Sequence, residues 1–381
     1  MNTPVSFYQH HGILPGVHKV DDLRSHFSQR EALFRQLGIV PRLLRDARIL
    51  DIGPGGGYYA LYNLAQRPRA YVVLDRNARA IEHLKQTIAP VLHPETVLTF
   101  RCADLLEMAV DDTFDLVICE AVIAWQQEQP ETFLERVSAF VAPGGVLLIT
   151  CMDSASWLFE MLRRLAGRLI TGHALALDAR LALLEPVFAP HLHTLAAGNR
   201  LPAQWVMTNL LVPLVGGPLS MGTAIATLAD DFVPLGSAPH FLTDWSWYKR
   251  YAAGSGEYWR EARTQYHRNL HNLLDQRRLH PPNPEEANLE LLAACDWACR
   301  HIQAYETDPD VAHVREAREA VARIADLVRV YDPEVGAVLC AFGRALDDHA
   351  KAGAFLFPDG FAPLFGRTQQ HLSFVRRVDA G

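Results

Sequence analysis

The sequence has no run of five or more like charges, and its formal charge is −7. Nucleic-acid binding draws on a concentrated basic surface, so no nucleic-acid partner is expected. Long apolar runs are also missing. The most apolar window, Trp205 to Leu219, is 15 residues broken by two prolines and two glycines, whereas a membrane-spanning helix needs roughly 20. Stable membrane insertion is therefore not expected. Cysteine is scarce, and no second pair stands at ligand spacing from Cys295 and Cys299, which argues against a paired-cysteine zinc site. Cys102, Cys119 and Cys151 fall in or beside predicted buried strands, where a free thiol behaves as a small hydrophobe. The first residues, MNTPVSFYQHHGILPG, lack the basic start and unbroken apolar core of a signal peptide. With reduced thiols, this gives a cytoplasmic location as the expectation. Internal repeats and low-complexity tracts are absent.

What is present is a well-cored globular chain, with 49% apolar and 21% charged residues. At 381 residues it exceeds one ordinary domain. Residues 20 to 45 read as helical, with Asp21 or Asp22 as cap and Leu23, Phe27, Leu33, Phe34 and Leu37 at helical spacing until Gly38. From Arg48 the pattern changes. RILDIG, AYVVLD, VLTFRCAD, FDLVICE and GGVLLITC each read as a strand buried on both faces, and segments of helical period lie between them. Five strands alternating with helices inside about 105 residues imply right-handed crossovers and a mostly parallel, doubly wound α/β sheet.

Five segments follow from this pattern: an N-terminal helical segment (1–46), the α/β core (47–151), a helical lid insertion (152–218), return strands (219–253) and a C-terminal helical domain (254–381). The last begins after a Gly-Ser-Gly linker and carries prolines at its joints. Its helices are candidate oligomer contacts.

Sheets of this class bind ligands beyond the carboxyl ends of their strands. Asp51 and a glycine cluster follow the first strand, Asp75 the second, Asp104 the third and Glu120 the fourth, all at one edge. Read from Gly55, the loop fits the dinucleotide fingerprint G-x-G-x-x-A; read from Asp51, it is D-x-G-x-G-x-G.

The set Asp51-Ile52-Gly53-Pro54-Gly55-Gly56-Gly57, Asp75, CADLLE with Asp104, and VAPGGVLLI (141–149) resembles the class I methyltransferases that use S-adenosylmethionine (SAM). The resemblance implies backbone approach to the cofactor at Gly53, Gly55 and Gly57, an ammonium or sulfonium partner for Asp51, ribose hydroxyls on Asp75 and the adenine amino group on Asp104. A nicotinamide oxidoreductase is the alternative in the other register, but it leaves Asp51 and Asp104 without a role.

On the acceptor side the motif N/D-P-P-Y is missing after the fourth strand, where the chain reads CEAVIAWQQ. By the same resemblance this argues against nucleobase-amine chemistry, and the helical insertion after the fifth strand resembles lids over small-molecule acceptors. A small or lipid-like acceptor is therefore expected, with a non-catalytic SAM-binding regulator and a protein methyltransferase as alternatives. Glu120 and His11 are the candidate base or anchor residues. His267, His271 and Asp275 stand at i, i+4 and i+8 on a predicted helix. They flank an apolar stripe and lack the Glu of a zinc-protease helix, so no metal is expected. The helix around Arg163, Arg164 and Arg168 reads as amphipathic, and Trp205, Trp245, Trp247, Tyr248 and Trp259 as an aromatic set in which one or two line a pocket.

Overall fold

The computed structural model describes residues 3–13, 22–123, 129–195, 201–242 and 258–378. Its strands are β1 (Arg48–Ile52), β2 (Ala70–Asp75), β3 (Val97–Cys102), β4 (Phe114–Cys119), β5 (Val141–Cys151), β6 (Phe232–Ala238) and β7 (Gln370–Arg376). The helices up to the end of the α/β core are α1 (Pro4–His11), α2 (Leu23–Gln36), α3 (Pro41–Leu44), α4 (Ala60–Ala65), α5 (Ala78–Ile88) and α6 (Pro130–Ser138). Those after it are α7 (Ser154–Thr171), α8 (Leu177–Leu192), α9 (Pro202–Trp205), α10 (Met221–Thr227), α11 (Tyr258–Asn269), α12 (Glu285–Thr307), α13 (Val311–Arg329) and α14 (Pro333–Ala352).

Two compact units result. Unit 1 comprises the described residues of Met1–Met152, Pro213–Tyr266 and Gln369–Gly381; unit 2 comprises those of Asp153–Val212 and His267–Thr368. In unit 1 the seven strands form one sheet in the order β3-β2-β1-β4-β5-β7-β6. Strands β1 to β5 are parallel, and β7 runs antiparallel to both β5 and β6. The expected doubly wound, mostly parallel sheet is therefore present. Its core packs Ile49, Tyr71, Val73, Leu116, Ile118 and Leu148 against Phe34 and Leu37 of the N-terminal helical segment.

Three expectations need correction. VLTFRCAD is not buried on both faces: β3 is the sheet edge, Val97 is 63% exposed and Cys102 is exposed. The segment 254–381 is not all helical, because its end supplies β7, which buries the polar Gln370 and Ser373 as well as the apolar Leu372 and Phe374. Ser373, fully buried, donates to the Leu37 carbonyl at 2.6 Å. The third concerns α2. Asp22 caps it through the Arg24 amide at 3.0 Å, and Phe34 and Leu37 are buried with Phe27 and Leu33 packed on the same core, but Leu23 is exposed and the buried face also takes in His26 and Arg30. Asp21 lies outside the described residues.

Unit 2 is helical. Its two parts leave the sheet after β5 and after β6, and α12, α13 and α14 pack in sequence with α7 against α12. The helix read as amphipathic is buried around nearly its whole circumference, Arg163 and Arg164 included. Trp205 sits in an apolar cluster with Phe188, Leu210 and Phe365. Trp245, Trp247 and Tyr248 lie outside the described residues, and the half-buried Trp259 belongs to unit 1. No helix among the described residues is long and apolar enough to cross a membrane.

Candidate functional site

β1 delivers Asp51 to the end of the sheet, and the chain then turns through Gly53, Gly55 and Gly57 at φ of +64°, +55° and +81°. Only glycine adopts this left-handed backbone without strain. A Cβ at Gly53 would stand 2.6 Å from Val122 Cγ2, and one at Gly57 2.7 Å from Leu84 Cγ. The protein's own side chains therefore require these two glycines, whatever a ligand adds. At the end of β2 the Asp75 carboxylate accepts the Asn77 amide at 2.8 Å and the Gly55 amide, which ties the glycine turn to β2. Burial raises its pKa more than these bonds and Arg76 lower it.

Asp51 is buried and accepts a hydrogen bond from the Tyr71 hydroxyl, to which Asn63 donates in turn at 3.3 Å. Burial pushes its carboxyl up to about 7. The Tyr71 bond and Arg30 oppose the shift, and Glu120 and Asp75 add to it. Asp104 follows β3 and caps the short turn Leu105–Glu107 through the Leu106 amide at 3.0 Å. Its other oxygen lies 2.8 Å from Arg76. Partial burial works against ionisation, but the Leu106 amide and Arg76 prevail and lower its pKa.

Glu120 follows β4. Its two oxygens accept from Arg30 Nη1 at 2.9 Å and Nη2 at 2.7 Å, and His371 Nε2 of β7 is 3.2 Å from Oε1. Burial alone would raise its pKa, yet Arg30 and His371 hold it well below the usual carboxylate range. A carboxylate so stabilised is a poor proton acceptor. The geometry thus gives no support to Glu120 as a base and shows both its oxygens engaged by Arg30. The next residue, Ala121, has φ +58°, and its amide donates to Thr150 Oγ1 at 2.6 Å. A left-handed non-glycine residue at a strand end is a local strain that the surroundings must hold in place.

Two residues of the group gave no signal in the sequence. Arg30 lies over the rings of Phe34 and Tyr59, 4.7 and 4.6 Å from the centroids. His26, one turn earlier, packs on Tyr58 at 3.9 Å and on Tyr59 at 6.5 Å. Helix α2 therefore clamps the two tyrosines that follow the glycine turn. His11 is exposed at the end of α1, where it packs on Phe7 and His10.

The histidine ridge is not one helix. α11 ends at Asn269 and a 3-10 turn spans Leu270–Leu273, which alters the i, i+4, i+8 alignment. His267 pairs with Glu285, His271 takes Asn288 and the Pro281 carbonyl, and Asp275 binds Arg277.

Residues 50–149 match the model of a family described as a methyltransferase domain. A malonyl-[acyl-carrier protein] O-methyltransferase of Chlorobium luteolum is 27% identical over 133 residues, 34% of this chain and 48% of that protein. A ribosomal RNA large subunit methyltransferase G of Pseudomonas savastanoi pv. phaseolicola is 28% identical over 119 residues, 30% of this chain and 32% of that protein. The chain thus spans less than half the length of either. Among solved structures, the N-methyltransferase NodS of Bradyrhizobium japonicum with S-adenosyl-L-homocysteine is 17% identical, covering 62% of this chain and 89% of that one, at a TM-score of 0.37. PKMT2 of Rickettsia typhi is 19% identical, covering 58% and 45%, at a TM-score of 0.41. The named acceptors differ, so these likenesses leave the acceptor open and do not carry the exclusion of nucleic acid that the charge suggested.

Proposed function

Residues 50–149 are a class I SAM-dependent methyltransferase domain, and from that premise we propose that the protein moves the sulfonium methyl of SAM to an O, N or C atom of a small or lipid-like molecule by in-line displacement. The observation that carries this reading is the charge at the sheet end. Asp51, Asp75 and Glu120 are grouped there, and Arg30 is already committed to Glu120. Asp51 is thereby short of positive charge. A cofactor bearing ammonium and sulfonium groups relieves that shortage, whereas the pyrophosphate of a nicotinamide cofactor aggravates it.

SAM, when bound, supplies a methyl group already activated by its positive sulfur. The chain's residues hold and orient it. Asp51 takes the ammonium group, Asp75 the ribose hydroxyls and Asp104 the adenine amino group, while Gly53, Gly55 and Gly57 keep the turn in its left-handed course. Glu120 acts indirectly: it fixes Arg30, which supports Tyr59 beside the glycine turn. Positioning of this kind supplies much of what methyl transfer needs. For an acceptor that must first lose a proton, His11 is the proposed base.

The ion-paired state of Glu120 also favours a second reading, a SAM-binding regulator that transfers nothing. Label from methyl-labelled SAM, incubated with the protein and an extract of its source cells, separates the two. Transfer into the lipid or small-molecule fraction, lost with Asp75→Ala, is the expected result. Label in RNA or protein would overturn the acceptor class, and tight SAM binding without transfer would favour the regulator.

A further inference from the structure

Unit 2 holds a group of arginines that methyl transfer does not use. Arg164, inside α7, is fully matched: Nε and Nη2 lie 2.7 Å from the two Glu306 oxygens on α12, and Nη1 and Nη2 donate to the carbonyls of Asn209 and Val212 at 2.7 Å. Glu306 is spent on that pair. Arg168, one turn further along α7, and Arg180 on α8 are different. Among the described residues neither side chain donates a hydrogen bond or forms an ion pair, although the Nε of each is buried. Arg180 is only 8% exposed. The Nη groups of both reach accessible surface, since they are not among the buried unpartnered atoms.

The charges of these groups interact. Burial lowers the Arg180 pKa to about 10, Arg168 and Arg164 lower it too, and Glu306 opposes them. Arg168 is lowered by burial and Arg164, with Glu306 and Tyr305 acting against the shift. Arg168 and Arg180 thus feel a positive neighbour in Arg164, whose own carboxylate partner, Glu306, only partly offsets it. Tyr305 of α12, half-buried and edge-on to the exposed His173 at 5.1 Å, keeps its phenolic proton and is a further donor. A buried guanidinium without a counter-charge costs folding free energy. Planar N–H forks match the paired oxygens of a phosphate or carboxylate.

We propose that Arg168 and Arg180, with Tyr305, bind the oxyanion group, phosphate or carboxylate, of a small ligand. The inference is independent of the methyl-transfer reading, because every residue in it belongs to unit 2.

The test is thermal melting of the full-length protein in inorganic phosphate or in acetate, with ionic strength held constant by chloride. Wild type should show a saturable rise in Tm with at least one of the two ions. The midpoint should move at least about tenfold in Arg168→Leu and Arg180→Leu, and stay put in Arg344→Leu, a change at an exposed position on α14. Saturation by phosphate alone assigns a phosphoryl ligand, and saturation by acetate extends the site to carboxylates. Without either ion, Arg180→Leu should melt higher than wild type, since it removes an unmatched buried charge. A wild type without a saturable response, or variants that respond as wild type does, would overturn the proposal.

Discussion

Asp51 shows how one residue joins the fold to the proposed chemistry. Its carboxyl titrates near 7, above the ordinary 3.8, so the native state keeps a proton that the unfolded chain releases between those values. Its contribution to stability is full below about pH 4 and is lost as pH rises to about 7. A bound cation reverses the preference, because it favours the ionised form. SAM affinity should therefore rise about tenfold from pH 6 to pH 8 as Asp51 ionises, and Asp51→Asn should flatten that dependence. Calorimetric titration at the two pH values reads this directly, and a wild type with constant affinity would contradict it. Asp75 makes a separate prediction. Loss of its charged hydrogen bonds, each contributing roughly 1.5–3 kcal/mol, should weaken SAM binding by about tenfold or more in Asp75→Ala. Unchanged calorimetric affinity would remove the residue from the site. The placement of both at one sheet edge was legible in the sequence because acidic strand ends are a pattern in themselves.

At the scale of elements, α2 is the part that periodicity read incompletely. A reading based on apolar spacing finds Phe27, Leu33, Phe34 and Leu37 but adds the exposed Leu23 and passes over Arg30, because an arginine counts as surface until its partner is known. That partner, Glu120, is 90 residues away, and nothing local to either residue announces the pair. Removing one member leaves the other buried and unmatched, which costs about 3–5 kcal/mol. Glu120→Leu alone should therefore lower stability to urea by roughly that amount, and Arg30→Met with Glu120→Leu should recover much of the loss. If the double variant unfolds as readily as the single one, the pair does more than balance charge. β3 was misjudged for a related reason. Its residues suit a buried strand, but edge position is a property of sheet order, and the order follows from crossovers that no single segment contains.

At the scale of the whole molecule, β1 to β5 were legible because each is an apolar run closed by a turn signal and separated from the next by a helix. The topology after β5 was not. Two excursions, 153–212 and 267–368, leave the sheet and form one helical unit, so the strand that completes the sheet comes more than 130 residues after β6 begins. That strand, QHLSFVR, has three apolar residues, and it buries Gln370 and Ser373 along with Leu372 and Phe374, so apolar content alone does not mark it as a central strand. The topology nevertheless gives it unusual weight. β7 pairs with β5 from Val146↔Val375 to Cys151↔Gln370 and with β6 from Phe232↔Arg376 to Ala238↔His371, so it lies inside the sheet. Its Arg376 also reaches the Val141 carbonyl at 2.6 Å, and His371 completes the surroundings of Glu120. Truncation after Thr368 would expose the backbone donors and acceptors of two strands at once, each a polar group that must find another partner. The truncated protein should lose its cooperative melt, as followed by circular dichroism, and its SAM binding with it. A fragment that still melts cooperatively and binds SAM would show that five parallel strands suffice for the cofactor site, and would return β7 to the role of an accessory edge.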